Sequence, residues 1–280
     1  VLALAALELW NRPHAPWLGR VAVLGSVALI FMGGIIAGWT PTLRLSQPLQ
    51  VNVGETVIQP QGSVSSFMPS AEAATPIFVP NVVGTYIFRL EVWDAQGQQS
   101  CAAAERTVEV LPSDAIHVEL LWRTPGDINE TDEGSSPTFS AGSDVDLHFL
   151  HPKAYGAYFD RAYDCYWNNP KPEWGVFSPQ DNPRLDRDDT DGAGPENLNV
   201  EKPEQNVRYQ VGVHYWNDWG YGNAFTTVRV YIYGVLRDQW ENVELRNDDM
   251  WDTHYIDWPS GAVTRIGNSP RIIPDFYGSF

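Results

Sequence analysis

Cysteine is nearly absent from this 280-residue chain, where Cys101 and Cys165 are the only two. That is too few for a disulfide framework, and no CxxC spacing offers a structural zinc site or a redox pair. One bond between them and two buried free thiols both stay open, so cysteine does not set the compartment. Basic residues are scarce as well. Lys and Arg number 18 against 35 Asp and Glu, a formal net charge of −17. A field of that sign repels polyanions and excludes nucleic acid as a partner. The HExxH, GxSxG and GxxxxGK signatures are missing too, so no catalytic residue is assigned. The six histidines do not gather. His148 and His151, three apart, fall on opposite faces of a strand and cannot share a zinc unless the chain turns at Pro152.

What is present is aromatic and unevenly charged. Twelve Trp and 12% aromatic residues rule out a disordered acidic tail. From Pro112 onward there are 28 acidic and 13 basic residues; before it there are seven and five. The acidity belongs to one part of the chain.

The amino-terminal part is apolar. Val21 to Leu43 carries no charge, and Val21–Trp39 is about the 20 residues a helix needs to cross a bilayer. Arg12 and Arg20 before it and Arg44 after it place the amino terminus in the cytoplasm. Trp17 and Trp39 bracket the run as interfacial residues do. Residues 1–45 are therefore expected to be a cytoplasmic stub and membrane anchor, with the helix at about 21–39. A cleaved signal, and hence secretion, is the alternative, although Ile35 and Ile36 spoil the spacing of a small-residue cleavage site. The chain opens on Val1 and an apolar stretch, which points to sequence upstream.

After Leu43 the texture changes to short alternating runs punctuated by Pro, Gly, Asn and Asp, an all-β signature. In Val83–Trp93, Tyr86, Phe88, Leu90 and Val92 face one way and Ile87, Arg89, Glu91 and Trp93 the other. Asp94–Gly97 turns the chain into a strand at Arg106–Leu111. Gly84–Gly97, GTYIFRLEVWDAQG, resembles the closing half of a PKD-type immunoglobulin-like domain. Its opening strand has no clear counterpart before Val51, leaving residues 46–112 as a truncated domain or one that takes a strand from elsewhere. The resemblance implies a spacer or adhesion module of a bacterial surface protein.

Residues 115–266 hold further strands at Ile116–Trp122, Val145–Leu150, Tyr209–Tyr215, Thr227–Tyr233 and Tyr255–Trp258. Long polar loops join them at Arg123–Ser143 and Tyr155–Pro203, and 267–280 reads as a tail. The expected fold class is all-β: two β-sandwich domains, immunoglobulin-like and then jelly-roll-like, behind one helix.

The sharpest pattern is acidic. On a strand, Val145, Leu147 and Phe149 form a core face, while Asp144, Asp146 and His148 line the other face in a row. Further on, Asp186, Asp188, Asp189, Asp191 and Glu196 put five carboxylates into eleven residues of a Gly-rich loop. Like charges at this density repel unless a cation relieves them, and oxygen-rich flexible loops suit Ca²⁺. The spacing is not that of an EF-hand, since Gly192 falls one place late and Asn197 stands where Glu is needed. These seven residues are the candidate Ca²⁺ ligands; a solvated acidic loop is the competing reading.

Taken together, Asp144–His148, Asp164–Trp167, Trp174–Gly175, Asn182–Asp189, Gly194–Asn197, Tyr209–Tyr215, Thr227–Gly234 and Ile256–Pro259 resemble the YfaP-type β-sandwich of uncharacterised bacterial envelope proteins found in myxobacteria and their relatives. There it often follows a PKD-like domain. The resemblance implies a cell-envelope location. It carries no assigned activity, and the second cysteine common near the position of Cys165 is replaced here by Pro170 and Lys171.

Tyr215, Trp216, Trp219 and Tyr221 crowd one connection, which extends to Phe225. They form a stacking platform for sugars, a patch for a protein partner, or a small core under a hairpin. The chain thus reads as a membrane-anchored, non-catalytic binding or adhesion protein ordered by Ca²⁺. A carbohydrate-binding module using 215–225, and a secreted hydrolase or hydrolase accessory domain with paired carboxylates, are the alternatives.

Overall fold

The computed structural model describes residues 21–22, 52–73, 75–94, 96–130, 142–176, 178–190 and 192–277. The chain divides into two compact units, Val1–Pro60 with Ser65–Val110 and Gln61–Val64 with Leu111–Phe280. Among the described residues the regular structure is β, apart from one 3₁₀ turn at Pro152–Ala154. No helix among them is long and apolar enough to cross a membrane. Of the helix expected at 21–39, only Val21 and Ala22 are described, and they form a two-residue strand; the rest lies outside the described residues.

The first unit has two small antiparallel sheets. One joins β1 (Val21–Ala22), β4 (Ile77–Phe78) and β3 (Phe67–Met68); the other orders β2 (Asn52–Ile58), β5 (Gly84–Trp93) and β6 (Ala104–Val110) with β5 central. The period of two expected in β5 places Tyr86 and Phe88 in the core beside Phe78. The Tyr86 hydroxyl donates to the Val82 carbonyl at 2.8 Å and accepts the Val82 N–H at 3.2 Å, closing the turn into the strand. A buried phenol needs such a partner.

The second unit is two facing sheets around one core. The five-stranded sheet runs β10 (Arg184–Arg187), β11 (Glu196–Val200), β7 (Ile116–Arg123), β13 (Ala224–Ile232), β14 (Val235–Leu245). The six-stranded sheet runs β16 (Ala262–Arg265), β15 (Met250–Trp258), β12 (Val207–Asn217), β8 (Asp144–Leu150), β9 (Asp164–Cys165), with β17 (Arg271–Ile273) also on β15. Alternate residues of both sheets meet in a shared interior: Ile116, Val118 and Leu120 of β7, Val228 and Val230 of β13, Val145, Leu147 and Phe149 of β8, and Val211 and Val213 of β12. That is the layered solution for sheets with one apolar face each.

Two expectations are corrected here. Residues 267–277 of the expected tail are part of the fold, because β17 pairs with β15 and Phe276 packs beside Tyr158 and Phe159. The long connection 155–203 is not a loop either, since it contains β9, β10 and β11.

At a bulge in β12, Gly212 lets Tyr158 lie on the sheet. A Cβ there would sit 2.4 Å from the Tyr158 ring. Tyr158 cannot swing away, because its hydroxyl donates to Asp252 at 2.6 Å and accepts from the Gln210 amide at 2.9 Å. Gly212→Ala should therefore cost about 1–3 kcal/mol and lower the melting temperature by several degrees; an unchanged temperature would contradict this packing.

Candidate metal centre

The site is built on an unfinished sheet edge. On one side β8 pairs with β12 along its whole length, from Asp144↔Asn217 to Leu150↔Gln210. On the other side β9 reaches only Phe149 and Leu150. The N–H of Leu147 therefore has no strand to bond, and a buried donor left so is costly. Glu196, the first residue of β11 in the opposite sheet, fills the gap. Its Oε2 accepts the Leu147 N–H at 2.6 Å, and its Oε1 accepts the Asp189 N–H at 3.2 Å.

The loop that delivers Glu196 is pinned from behind. Ala193 accepts the Trp122 backbone N–H at 3.1 Å, and the Ser143 hydroxyl reaches Gly192. Gly194, held at φ +79°, passes so close to Trp122 that a Cβ would lie 2.8 Å from its ring. Only glycine fits that combination.

Tied in this way, Asp146, Asp188 and Glu196 each offer an oxygen within 4.8 Å of the others. Asp146 and Glu196 are buried, while Asp188 closes the cluster from the solvent side. Asp144 stands beside them as a fourth carboxylate, acting electrostatically on both Asp146 and Asp188. Burial, then the neighbouring Asp188, lifts the Asp144 carboxyl to about 7. Asp146 is pushed well up by burial and by the charges of Asp144, Asp188 and Asp164. Glu196 is pushed the same way by burial and Asp146, against the pull of its two backbone donors. Asp188 is raised by burial, with Glu196 bonding to it in the opposite sense. Among the described residues, no Lys or Arg is a named cause of these shifts. Asp146 Oδ2 and Asp144 Oδ1 are buried and have no hydrogen-bond partner among the described residues.

The donors are all oxygens, which selects hard cations over zinc or copper.

The other expected ligands go elsewhere. Asp186 accepts from Arg184 Nε at 3.1 Å and from Asn199 Nδ2 at 2.5 Å, on the side of His117. Asp189 gives the site its backbone N–H, while its carboxylate faces Arg187 at 3.5 Å. Asp191 lies outside the described residues. The face of β8 that carries Asp144, Asp146 and His148 is covered around His148. Tyr158, Phe159 and Tyr166 pack around His148 with ring centroids 5.4, 4.7 and 5.1 Å away, and His148 bonds Asp164 at 2.7 Å. His151 turns off at the 3₁₀ segment and meets Glu204 at 3.1 Å.

The aromatic connection is also divided. Tyr215 is in the core, its hydroxyl bonded to the Gly222 carbonyl at 2.6 Å, so it takes no part in a platform. Trp216 and Tyr221 are half-buried and Trp219 is exposed. Phe159, Trp167 and Tyr277, from elsewhere in the chain, join Trp216.

Comparison with models of protein families, with curated proteins and with solved structures finds no match to the chain.

If these carboxylates repel one another as placed, removing one charge should relieve the metal-free protein. Asp146→Asn is expected to raise the melting temperature in chelator by about 2–4 °C, equivalent to about 1 kcal/mol. A lower temperature in chelator would contradict the crowding of like charges.

Proposed function

We propose that the chain is a bacterial envelope protein of the binding or adhesion kind, whose distal β-sandwich takes a Ca²⁺ ion at the edge of β8. The observation that carries the reading is a largely buried carboxylate cluster in which no Lys or Arg among the described residues pairs with Asp146 or Glu196. Asp146, Asp188 and Glu196 converge within 4.8 Å, and Asp146 keeps a buried oxygen with no partner among the described residues. Burying unpaired charge is expensive, and a divalent ion removes the penalty while tying the β10–β11 loop to β8. Asp144 is the fourth ligand in this reading, and water completes the shell.

The finer parts rest on separate support. The Tyr86–Val82 bond has the form of the tyrosine corner of immunoglobulin-like sandwiches, in keeping with a PKD-type spacer. The facing antiparallel sheets of the second unit agree with a jelly-roll-like, YfaP-type domain. The uncharged run 21–39 supports a membrane anchor that leaves the sandwiches outside the cytoplasm. The ion's role is to order a recognition surface rather than to catalyse.

Thermal unfolding of the full chain in detergent, with millimolar Ca²⁺ and with chelator, tests this. At 100 times its dissociation constant an ion adds about 2.7 kcal/mol, a rise of about 5–10 °C for a domain of this size. The rise should favour Ca²⁺ over Mg²⁺ and vanish in Asp146→Asn and Asp188→Asn. No rise with any divalent ion would overturn the reading.

A further inference from the structure

Two histidines far apart in sequence meet on one face of the six-stranded sheet. His148 lies in β8 and His214 in β12, with Gly212↔His148 and Asp146↔His214 in register. That pairing puts both imidazoles and Asp146 on the same face, as diagonal and direct cross-strand neighbours. The imidazole centroids are 6.3 Å apart, and both side chains are fully buried. Packing holds the rings in place. Tyr166 stacks on His148 at 13°, and Phe159 packs against both, 4.7 Å from His148 and 5.4 Å from His214. The expectation that the histidines do not gather fails here, because strand pairing rather than local spacing brings these two together.

Each ring is anchored by an aspartate through one nitrogen. His148 Nδ1 bonds Asp164 Oδ2 at 2.7 Å, and that oxygen also accepts the Phe159 N–H at 2.8 Å. His214 Nε2 bonds Asp248 Oδ1 at 3.1 Å, and that oxygen accepts the Tyr277 N–H at 2.9 Å. Both oxygens act as acceptors, so this network assigns the protons to the bonded nitrogens. In the neutral rings the lone pairs are then left on His148 Nε2 and His214 Nδ1. Both atoms are buried and have no hydrogen-bond partner among the described residues, and the same holds for Asp146 Oδ2. Strand order gives their direction. The sheet runs β15-β12-β8-β9. Asp164 belongs to β9, on the far side of β8, while Asp248 lies in the turn that enters β15, on the far side of β12. The two nitrogens of an imidazole diverge across the ring. Anchoring each ring outward therefore turns its second nitrogen inward, to the seam between β8 and β12.

We propose that His148 Nε2 and His214 Nδ1 ligate one transition-metal ion of the Zn²⁺ class at this seam, with Asp164 and Asp248 orienting the two ligands. An imidazole that gives its other N–H to a carboxylate is the usual arrangement around a protein-bound metal, since it fixes the tautomer and raises the ligand's basicity. Here it occurs twice on one face. Neither lone pair can satisfy the other, and a buried acceptor with no donor is costly. Asp146, beside His214, offsets the charge of the ion, and water completes the shell. Nitrogen donors suit Zn²⁺, Cu²⁺ or Ni²⁺ rather than Ca²⁺, so this site is chemically separate from the carboxylate cluster and goes beyond it. A water that donates to both nitrogens is the competing occupant, and the test separates the two.

The test is calorimetric titration of Zn²⁺ into the metal-stripped full chain in detergent. It is run in millimolar Ca²⁺, to keep Zn²⁺ off the carboxylate cluster, and again in Asp188→Asn without Ca²⁺. Both should bind one Zn²⁺ per chain. X-ray absorption at the zinc edge of the loaded parent should show two imidazole ligands. His214→Gln should lose the site. Asp248→Asn, at a partly exposed carboxylate, should fold as the parent does and bind Zn²⁺ about 10–100-fold more weakly. No Zn²⁺ binding, a shell of oxygens alone, or an affinity unchanged in Asp248→Asn overturns the proposal and leaves water at the seam. Failure of the Ca²⁺ reading shows separately, as a melting temperature insensitive to Ca²⁺, and leaves the Asp188→Asn titration standing.

Discussion

The carboxylate of Glu196 is the point on which the distal half of the second unit depends. It is fully buried, starts a strand in one sheet, and gives its oxygens to backbone N–H groups of a strand in the other and of its own loop. A neutral side chain of the same shape could close the edge of β8 more cheaply. A charged one is worth its desolvation when the charge has further work, and the work nearest to hand is the pair of aspartates beside it. The sandwich is thus closed by a carboxylate that lies against two others.

The same edge separates two kinds of surface. The acidic cluster gathers at the open edge of β8; further along the same face His148 is enclosed by Tyr158, Phe159 and Tyr166, and His214 continues that enclosure towards Trp216. Burial holds the His214 imidazole down at about 4, with His148 acting in the same direction, so His214 is neutral at pH 7. The acidic cluster and the ring patch are neighbours through one strand pair, as Asp146 stands in register with His214.

Much of this was legible in the sequence, for reasons of period. The alternation in β8 assigned Val145, Leu147 and Phe149 to the core and Asp146 to the other face, and both placements follow from the strand's period of two. The burial of that second face was not legible, because its cover comes from residues 158–166 and from Phe276, which no local pattern connects to β8. Asp186 and Asp188 read together as members of one acidic loop. A register shift between Leu185 and Arg187 breaks the alternation, and Asp186 turns to Arg184 and Asn199 while Asp188 joins the cluster. The long edge strand β14 escaped notice because most of its side chains are exposed or half-exposed, so it shows little apolar alternation. Tyr215 and Trp216 looked alike as members of an aromatic connection. Extending β12 to Asn217 puts them on opposite faces, one in the core and one in the surface cluster.

The most direct test of the central claim is calorimetric titration of Ca²⁺ into chelator-stripped full chain, alongside Asp146→Asn. The account predicts one saturable site per chain in the parent and none in the variant. No measurable binding, or equal stoichiometry and affinity in the two, would return these carboxylates to a purely structural role and contradict it.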